Sequence, residues 1–431
     1  MKKHDVIVVG AGPAGTTAAL RMAQKGLNVI LLERGNVPGE KNMFGGMLPH
    51  CPLVEELLPD FCEAAPWERH VVKRTLCLLS ETSASSFVFE SRNFDKPPYS
   101  GYTLYRPVFD RWYAQKAQAA GVKLLTGCLV EQLLADGKAI VGARIGRENG
   151  ELKAPITIVC DGVLSLLAQK AGFRQSPPPQ TLALGIKALF QLREEDINER
   201  FGLARRQGCS HEFIGCTGGI RGGGFIYAQT QSLSAGLVLH LDSLKKGGVG
   251  PYDLFEQFLA LDPVRKLLKG ARLAEYSAHM IPEGGYRHIP RLYADGMLLA
   301  GDAAGLCYTN GLNLEGMNLA MASGFHAAET VVEAFQKGDF SATQLARYQN
   351  RLKESFVLRD MKTYERSADL MRNDRLFSVY PSVVGTIMER IFQADGNARK
   401  RIGRIGWEAA KDAVPLADLL LDLWKGGRSI L

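Results

Sequence analysis

The chain has 431 residues, 46% apolar and 23% charged, a balance that suits a soluble globular protein with room for two or three domains. No run of 18 or more apolar residues offers a membrane-spanning helix, and a net charge of +7 without a basic stripe interleaved with aromatics speaks against nucleic acid. The eight cysteines (Cys51, Cys62, Cys77, Cys128, Cys160, Cys209, Cys216 and Cys307) form no C-x-x-C pair and no zinc or iron–sulfur spacing, so no bound metal is expected.

MKKHDVIVVGAG enters its first strand too soon for a cleaved signal segment, and a cytoplasmic protein is expected. Val6–Val9 are apolar and β-branched, as in a strand buried on both faces of a parallel sheet. GAGPAG then places Gly10, Gly12 and Gly15 in the G-x-G-x-x-G spacing: a tight turn, a close backbone approach to a pyrophosphate, and a close helix–strand contact. Ala18, Ala19, Met22 and Ala23 recur at helical spacing, Gly26 stops the helix, and Asn28–Leu32 resume as a strand. Glu33 stands 21 positions after Gly12, where an acid takes the ribose hydroxyls of an ADP moiety. The combination predicts a bound dinucleotide.

GNVPGEKNMFGGM is a glycine-rich loop in which Lys41, Gly45 and Gly46 would let backbone pass close to a flat ring system. Residues 53–75 read as helical and then irregular, and 75–92 as two strands around a polar turn. A helix ending at Gly121 feeds the strand Lys123–Leu125, and Ala139–Ile145 and Lys153–Cys160 are further strands. Arg106 precedes that helix and could hold a phosphate or carboxylate bidentately; taken alone it reads rather as a surface ion pair, since most arginines are exposed. The PPP run at 177–179 marks a boundary, and 181–294 is strand-like and turn-rich.

LLAGDAAG (298–305) ends a buried strand in Gly301-Asp302, an aspartate placed to accept hydrogen bonds from a sugar-alcohol chain such as the ribityl chain of a flavin, or else to cap a helix. A long helix starting near Asn313 would aim its amides at a flavin ring. Ser341 caps a further helix with Leu345, Tyr348, Leu352 and Phe356 on one face, and the last fifty residues are helical. There, RKRIGRIGW sets four basic residues beside Ile402, Ile405 and Trp407, as on a membrane-surface helix, a solvated face or a docking site.

GAGPAG…ER, YRPVFDRW, Cys160-Asp161-Gly162 and AGDAAG together resemble flavoproteins of the para-hydroxybenzoate hydroxylase fold. GEKNMFGGML, GGGFIYAQTQSLSAGLVLHL, EYSAHMIPEGGYR, ESFVLRDMKTYERS and NDRLFSVYP narrow the resemblance to the Fix-type C proteins and the flavin half of electron transfer flavoprotein–quinone oxidoreductase. The resemblance implies an α/β fold: a Rossmann-like FAD-binding domain (1–75, 100–176 and 295–335), an inserted, mainly antiparallel quinone domain (76–99 and 177–294), and a helical C-terminal region (336–431) for docking a partner or membrane. It implies electron transfer from a two-subunit electron transfer flavoprotein to a membrane quinone, on the inner face of the cytoplasmic membrane. By motif, Gly10, Gly12, Ala14, Gly15, Glu33 and Arg34 would hold the ADP half, with Lys41, Gly45, Gly46, Arg106 and Val130 flanking the cofactor. Gly301 and Asp302 would take the ribityl chain, and Gly311, Leu312 and Asn313 would lie at the ring. Gly223, Phe225 and Tyr227 would line the quinone approach, although an aromatic such as Tyr227 serves equally well as strand core.

The fused oxidoreductase continues into a four-cysteine ferredoxin-like domain, whereas the last cysteine here is Cys307. An iron–sulfur cluster is therefore expected on a separate, small ferredoxin-like subunit. No second G-x-G-x-x-G follows a strand, which makes reduction by a protein partner more plausible than by NAD(P)H. The alternatives on the same fold are a prenyl-lipid (geranylgeranyl) reductase and an aromatic monooxygenase; a flavin-bearing scaffold is the non-enzymatic one.

Overall fold

The computed structural model describes residues 4–41, 46–147 and 150–430. Val6–Val9 lies in the middle of a six-stranded sheet, parallel to Ile156–Val159 on one side and Val29–Leu32 on the other. Lys123–Leu125 extends the sheet past Val29–Leu32, and Met297–Leu299 extends it past Ile156–Val159. The short antiparallel strand Tyr293–Ala294 closes that edge. Both faces of the central strands are covered, which is why these segments are unbroken apolar runs rather than alternating ones. On one face the helices Pro13–Gln24 and Met317–Lys337 cross so closely that a Cβ on Gly324 would sit 2.1 Å from the Ala14 carbonyl oxygen. The helix Arg106–Ala119 joins them, with the Tyr113 hydroxyl 2.8 Å from that of Thr17. A three-stranded sheet, Val130–Asp136, Ala139–Ile145 and Glu151–Lys153, packs alongside.

A second sheet has nine strands. Its order runs Arg272–Pro282, Leu182–Gln191, Ser232–His240, Gly222–Ala228, Gln207–Ile214, Trp67–Leu79, Gly101–Leu104, Met47–Pro49, with Ala84–Glu90 also paired to Trp67–Leu79. All pairs are antiparallel except Gln207–Ile214 against Trp67–Leu79. One face is covered by the helices Glu194–Phe201, Leu241–Gly247, Pro251–Ala260 and Asp262–Leu267, over a core that includes Ile186, Phe213, Ile226, Leu237 and Phe258. The other face looks toward the nucleotide-type sheet.

Several expected elements differ in detail. Residues 53–75 are two short helices followed by the start of the long strand Trp67–Leu79, so the boundary expected at 76 falls inside that strand. The wide sheet also recruits 47–49 and 101–104, outside the segments assigned to it from sequence. Lys153–Cys160 is two strands, Glu151–Lys153 and Ile156–Val159, interrupted at Ala154-Pro155, where proline offers no ladder donor. The long helix starts at Met317, not near Asn313; a small hairpin, Tyr308–Thr309 with Leu314–Glu315, occupies the interval.

Beyond residue 340, Ser341 Oγ accepts the Gln344 N–H at 3.5 Å and begins a run of short helices with Leu345, Tyr348 and Leu352 fully buried. The helix Leu416–Ile430 is tied back through Asp422, whose carboxylate accepts from Arg375 Nε and Nη2 at 2.7 and 2.9 Å and from the Tyr380 hydroxyl at 2.6 Å. In Ile402–Ala413, Ile405 is buried while Ile402 and Trp407 are exposed, and Lys400 and Arg404 are spent on Glu408. Among the described residues no helix is long and apolar enough to cross a membrane.

Candidate active site

Each glycine of the first turn faces a different obstacle. Gly10 has φ +99°, and a Cβ there would sit 2.3 Å from the Cys160 carbonyl oxygen on the adjacent strand end. A Cβ on Gly15 would sit 1.9 Å from Gly10 O. Gly12 is the open one: the nearest atom to its Cβ position is Arg106 Nη2 at 4.0 Å. Gly12 caps the helix Pro13–Gln24 with no side-chain hydrogen bond, so the first-turn amides and the positive helix end face that opening. Ala14 is buried beneath the turn against the long helix.

Glu33 is tied to the turn more firmly than its spacing suggested. Its Oε2 accepts the Ala11 N–H at 2.9 Å and its Oε1 the Gly35 N–H at 2.7 Å, which leaves further lone pairs for hydroxyl donors. Cys128 N–H donates to Glu33 O at 2.8 Å, so the segment leading to buried Val130 runs along the same edge. Arg34 and Lys41 are exposed and Gly46 has open space at its Cβ; Gly45 lies outside the described residues.

Arg106 is neither free nor a surface ion pair. Its Nε and Nη2 donate to Asp110 Oδ1 and Oδ2 at 2.9 and 2.8 Å, and the Asp110 side chain is 1% exposed. The pair sits one helical turn apart and holds the guanidinium flat beside Gly12. Across from it, Gly301 adopts φ +64° where a Cβ would meet Ala14 Cβ at 2.8 Å, and its N–H donates to Ser323 Oγ at 2.9 Å. Asp302 does not cap the turn Gly301–Ala304. Burial pushes its carboxyl above the usual carboxylate range, while the Arg106 and Arg174 cations pull it back. Among the described residues it accepts no hydrogen bond, so a half-buried carboxylate stands ready for hydroxyl donors from a ligand. An open phosphate turn, an acid at the ribose position and a half-buried aspartate between two arginines together fit FAD.

The hairpin tip is set by Asn310, whose Oδ1 accepts the N–H groups of Leu312 and Asn313 at 2.9 and 2.8 Å. Gly311 has φ +91° with nothing near its Cβ position, and Leu312 is exposed. Asn313 Oδ1 accepts from Arg74 Nη1 at 2.9 Å, which links the hairpin to the wide sheet.

On that sheet Gly223, Phe225 and Tyr227 share the face away from the helices, because Ile226 and Ala228 are in the helix-covered core. The Phe225 and Tyr227 rings stack at 4.8 Å and 22°. Room for them comes from Gly236 on the next strand, where a Cβ would sit 2.5 Å from the Phe225 ring. Tyr227 is half-buried rather than core. Three charged residues that no sequence motif marks share the same face: Arg74, Lys187 and Glu212. Desolvation lowers the Lys187 ammonium to about 8, with Arg106 adding to the effect, and raises the Glu212 carboxyl to about 7. The signal available was a charge recurring on one parity of otherwise apolar strands, as in LGIKALFQ.

Comparison with known proteins agrees with this architecture. Residues 5–174 match a model described as FAD dependent oxidoreductase, and residues 367–431 one described as ETF-QO/FixC family C-terminal domain. The chain is 38% identical to a probable electron transfer flavoprotein-quinone oxidoreductase, YdiS, of Escherichia coli, covering 99% of both chains. It is 38% identical to protein FixC of Azotobacter vinelandii, covering 93% of this chain and 92% of that one. A geranylgeranyl bacteriochlorophyll reductase-like structure from Thermoplasma acidophilum shares the fold, with TM-score 0.74, 18% identity, and 98% and 99% of the two chains covered.

Proposed function

Because the chain belongs to the electron transfer flavoprotein–quinone oxidoreductase/FixC family and is an FAD-dependent oxidoreductase, we propose that it takes electrons from an electron transfer flavoprotein and passes them to a membrane quinone. The observation that carries this reading is the end-to-end similarity to a probable oxidoreductase of that name, C-terminal domain included. Bound FAD supplies the redox chemistry, and the chain supplies binding, orientation and shielding. The turn Gly10–Gly15 with Glu33 holds the ADP half, Arg106 steadies the phosphates, and Asp302 accepts from the ribityl hydroxyls. The hairpin at Gly311–Asn313 borders the ring, and Gly223, Phe225 and Tyr227 receive a flat, apolar acceptor.

A ferredoxin-like subunit carrying an iron–sulfur cluster completes the complex in this reading. The exposed apolar side chains of Phe392, Ile402, Trp407, Leu423 and Trp424 rest on the inner surface of the membrane. The test is spectroscopic. The FAD-loaded protein, with its ferredoxin-like partner present, should lose its visible flavin absorbance on adding reduced electron transfer flavoprotein and recover it on adding a quinone analogue. No bleaching by the reduced partner would reject the reading. Saturated prenyl lipid, or oxygen uptake driven by NAD(P)H and a small aromatic, would replace it with a reductase or a monooxygenase.

A further inference from the structure

The wall formed by Phe225 and Tyr227 carries an acid with no ion-pair partner among the described residues. The antiparallel register sets Glu212 opposite Phe225 and Ser210 opposite Tyr227. The parallel register with Trp67–Leu79 sets Arg74 opposite Ser210. Residues of the other parity on these strands, Cys77, Cys209, Phe213 and Ile226, belong to the helix-covered core. Arg74, Glu212 and Tyr227 therefore emerge together, on the side where Arg74 holds Asn313 at the hairpin.

A carboxylate retained for structure would be paired. Glu212 Oε2 accepts only the Ser210 hydroxyl, at 3.4 Å, and no cation among the described residues makes an ion pair with it. The titratable and charged groups facing it are Arg74 on Trp67–Leu79 and Tyr227 on Gly222–Ala228, while Cys209 lies on the opposite face of its own strand. Burial raises its carboxyl and the Arg74 cation draws it partly back, to about 7, so it holds a proton near neutrality and can lose and regain it.

We propose that Glu212 is the acid that protonates the quinone as it is reduced on this face, an inference that rests on the quinone reading above. A quinone becomes a quinol by gaining two electrons and two protons. Bound reduced FAD would supply the two electrons and release its own protons to solvent, which balances those that the quinone draws from Glu212 and water. One carbonyl oxygen forms its O–H bond with the Glu212 proton, leaving a carboxylate in the field of Arg74, and water then reprotonates Glu212. The other oxygen takes its proton from water at the open hairpin side, where Leu312 is exposed.

The test uses the FAD-loaded enzyme, reduced with dithionite and reoxidised by either a short-chain quinone analogue or ferricenium, which takes electrons without protons. Glu212→Gln should slow quinone-driven reoxidation about 100-fold and leave the ferricenium rate unchanged, with Glu212→Asp regaining part of the loss. In the wild type the quinone rate should be highest below the carboxyl's transition and fall as pH rises through about 7; in Glu212→Gln that fall should be absent. Equal quinone rates and pH profiles in wild type and Glu212→Gln would overturn the assignment and leave the quinone reading standing. A wild-type rate flat from about pH 6 to about pH 9 would also overturn it, without any variant. Wild-type enzyme reoxidised by ferricenium but not by quinone would remove both.

Discussion

The turn at Gly10–Gly15 and the sheet face at Phe225–Tyr227 stand on opposite sides of the candidate site and are built on opposite rules. The turn has no spare volume except in front of Gly12: Gly10 faces the Cys160 carbonyl, Gly15 faces Gly10, and Gly324 presses the long helix onto Ala14. Its binding capacity is backbone, namely free amides and a helix end, which no side chain could supply without filling the space. The sheet face is the reverse. Gly236 makes room there for the Phe225 ring, and the face carries aromatic rings and ionisable groups whose protonation burial has shifted. A surface that holds one ligand permanently can be rigid and neutral; a surface that must receive and release another needs room and adjustable charge.

This contrast is easiest to break at the turn. Gly15→Val forces atoms into the Gly10 carbonyl, and destabilisation of about 3 kcal/mol or more is expected, with little FAD retained on purification. The melting temperature and the flavin-to-protein ratio check it. Asp302→Ala should separate binding from folding. The carboxyl makes no hydrogen bond among the described residues, so the apoprotein should melt no lower than wild type while the FAD dissociation constant rises roughly 10- to 100-fold. A drop in apoprotein stability would show that Asp302 serves the fold instead.

On the opposite wall, Phe225→Ala removes one ring of the stacked pair. About a tenfold rise in KM for a quinone analogue is expected, with reduction by the partner flavoprotein unchanged, in steady-state and single-turnover measurements respectively. The smallest effect lies outside the contrast and serves as its control. Arg375 holds the Asp422 carboxyl down at about 2, below its ordinary value, so the helix Leu416–Ile430 is fully anchored above about pH 4 and loosens as pH falls through 2. Asp422→Asn should cost less than about 1 kcal/mol and abolish that pH dependence, read as protease sensitivity of the C-terminal helix, with flavin binding untouched.

How legible each region was in the sequence follows the same division. The glycine turn, Glu33 and the strands around them could be read directly, because each is a local solution: a few consecutive residues whose backbone needs dictate their identity. Gly301-Asp302 was legible for the same reason. The helices Pro251–Ala260 and Asp262–Leu267 do not stand out in the sequence, although Leu254, Phe255 and Phe258 form an apolar helical stripe, because the glycine- and strand-rich text around them dominates. The displaced start of the long helix, Met317 rather than Asn313, came from a hairpin too short to show a period.

By itself, then, the sequence determined the nucleotide-type half of this protein: a buried parallel strand, a turn in which only glycine fits, and an acid one strand later. What only the tertiary structure decided is the company those residues keep. Arg106 met Asp110 and faced Gly12, Glu33 reached back to Ala11, Arg74 crossed to Asn313, and Glu212 came to lie opposite Phe225. These meetings depend on register between strands far apart in the chain and on the packing of one sheet against another. A shift of one residue in the strand Gln207–Ile214 would have turned Glu212 into the helix-covered core, and no local pattern records which way that choice fell.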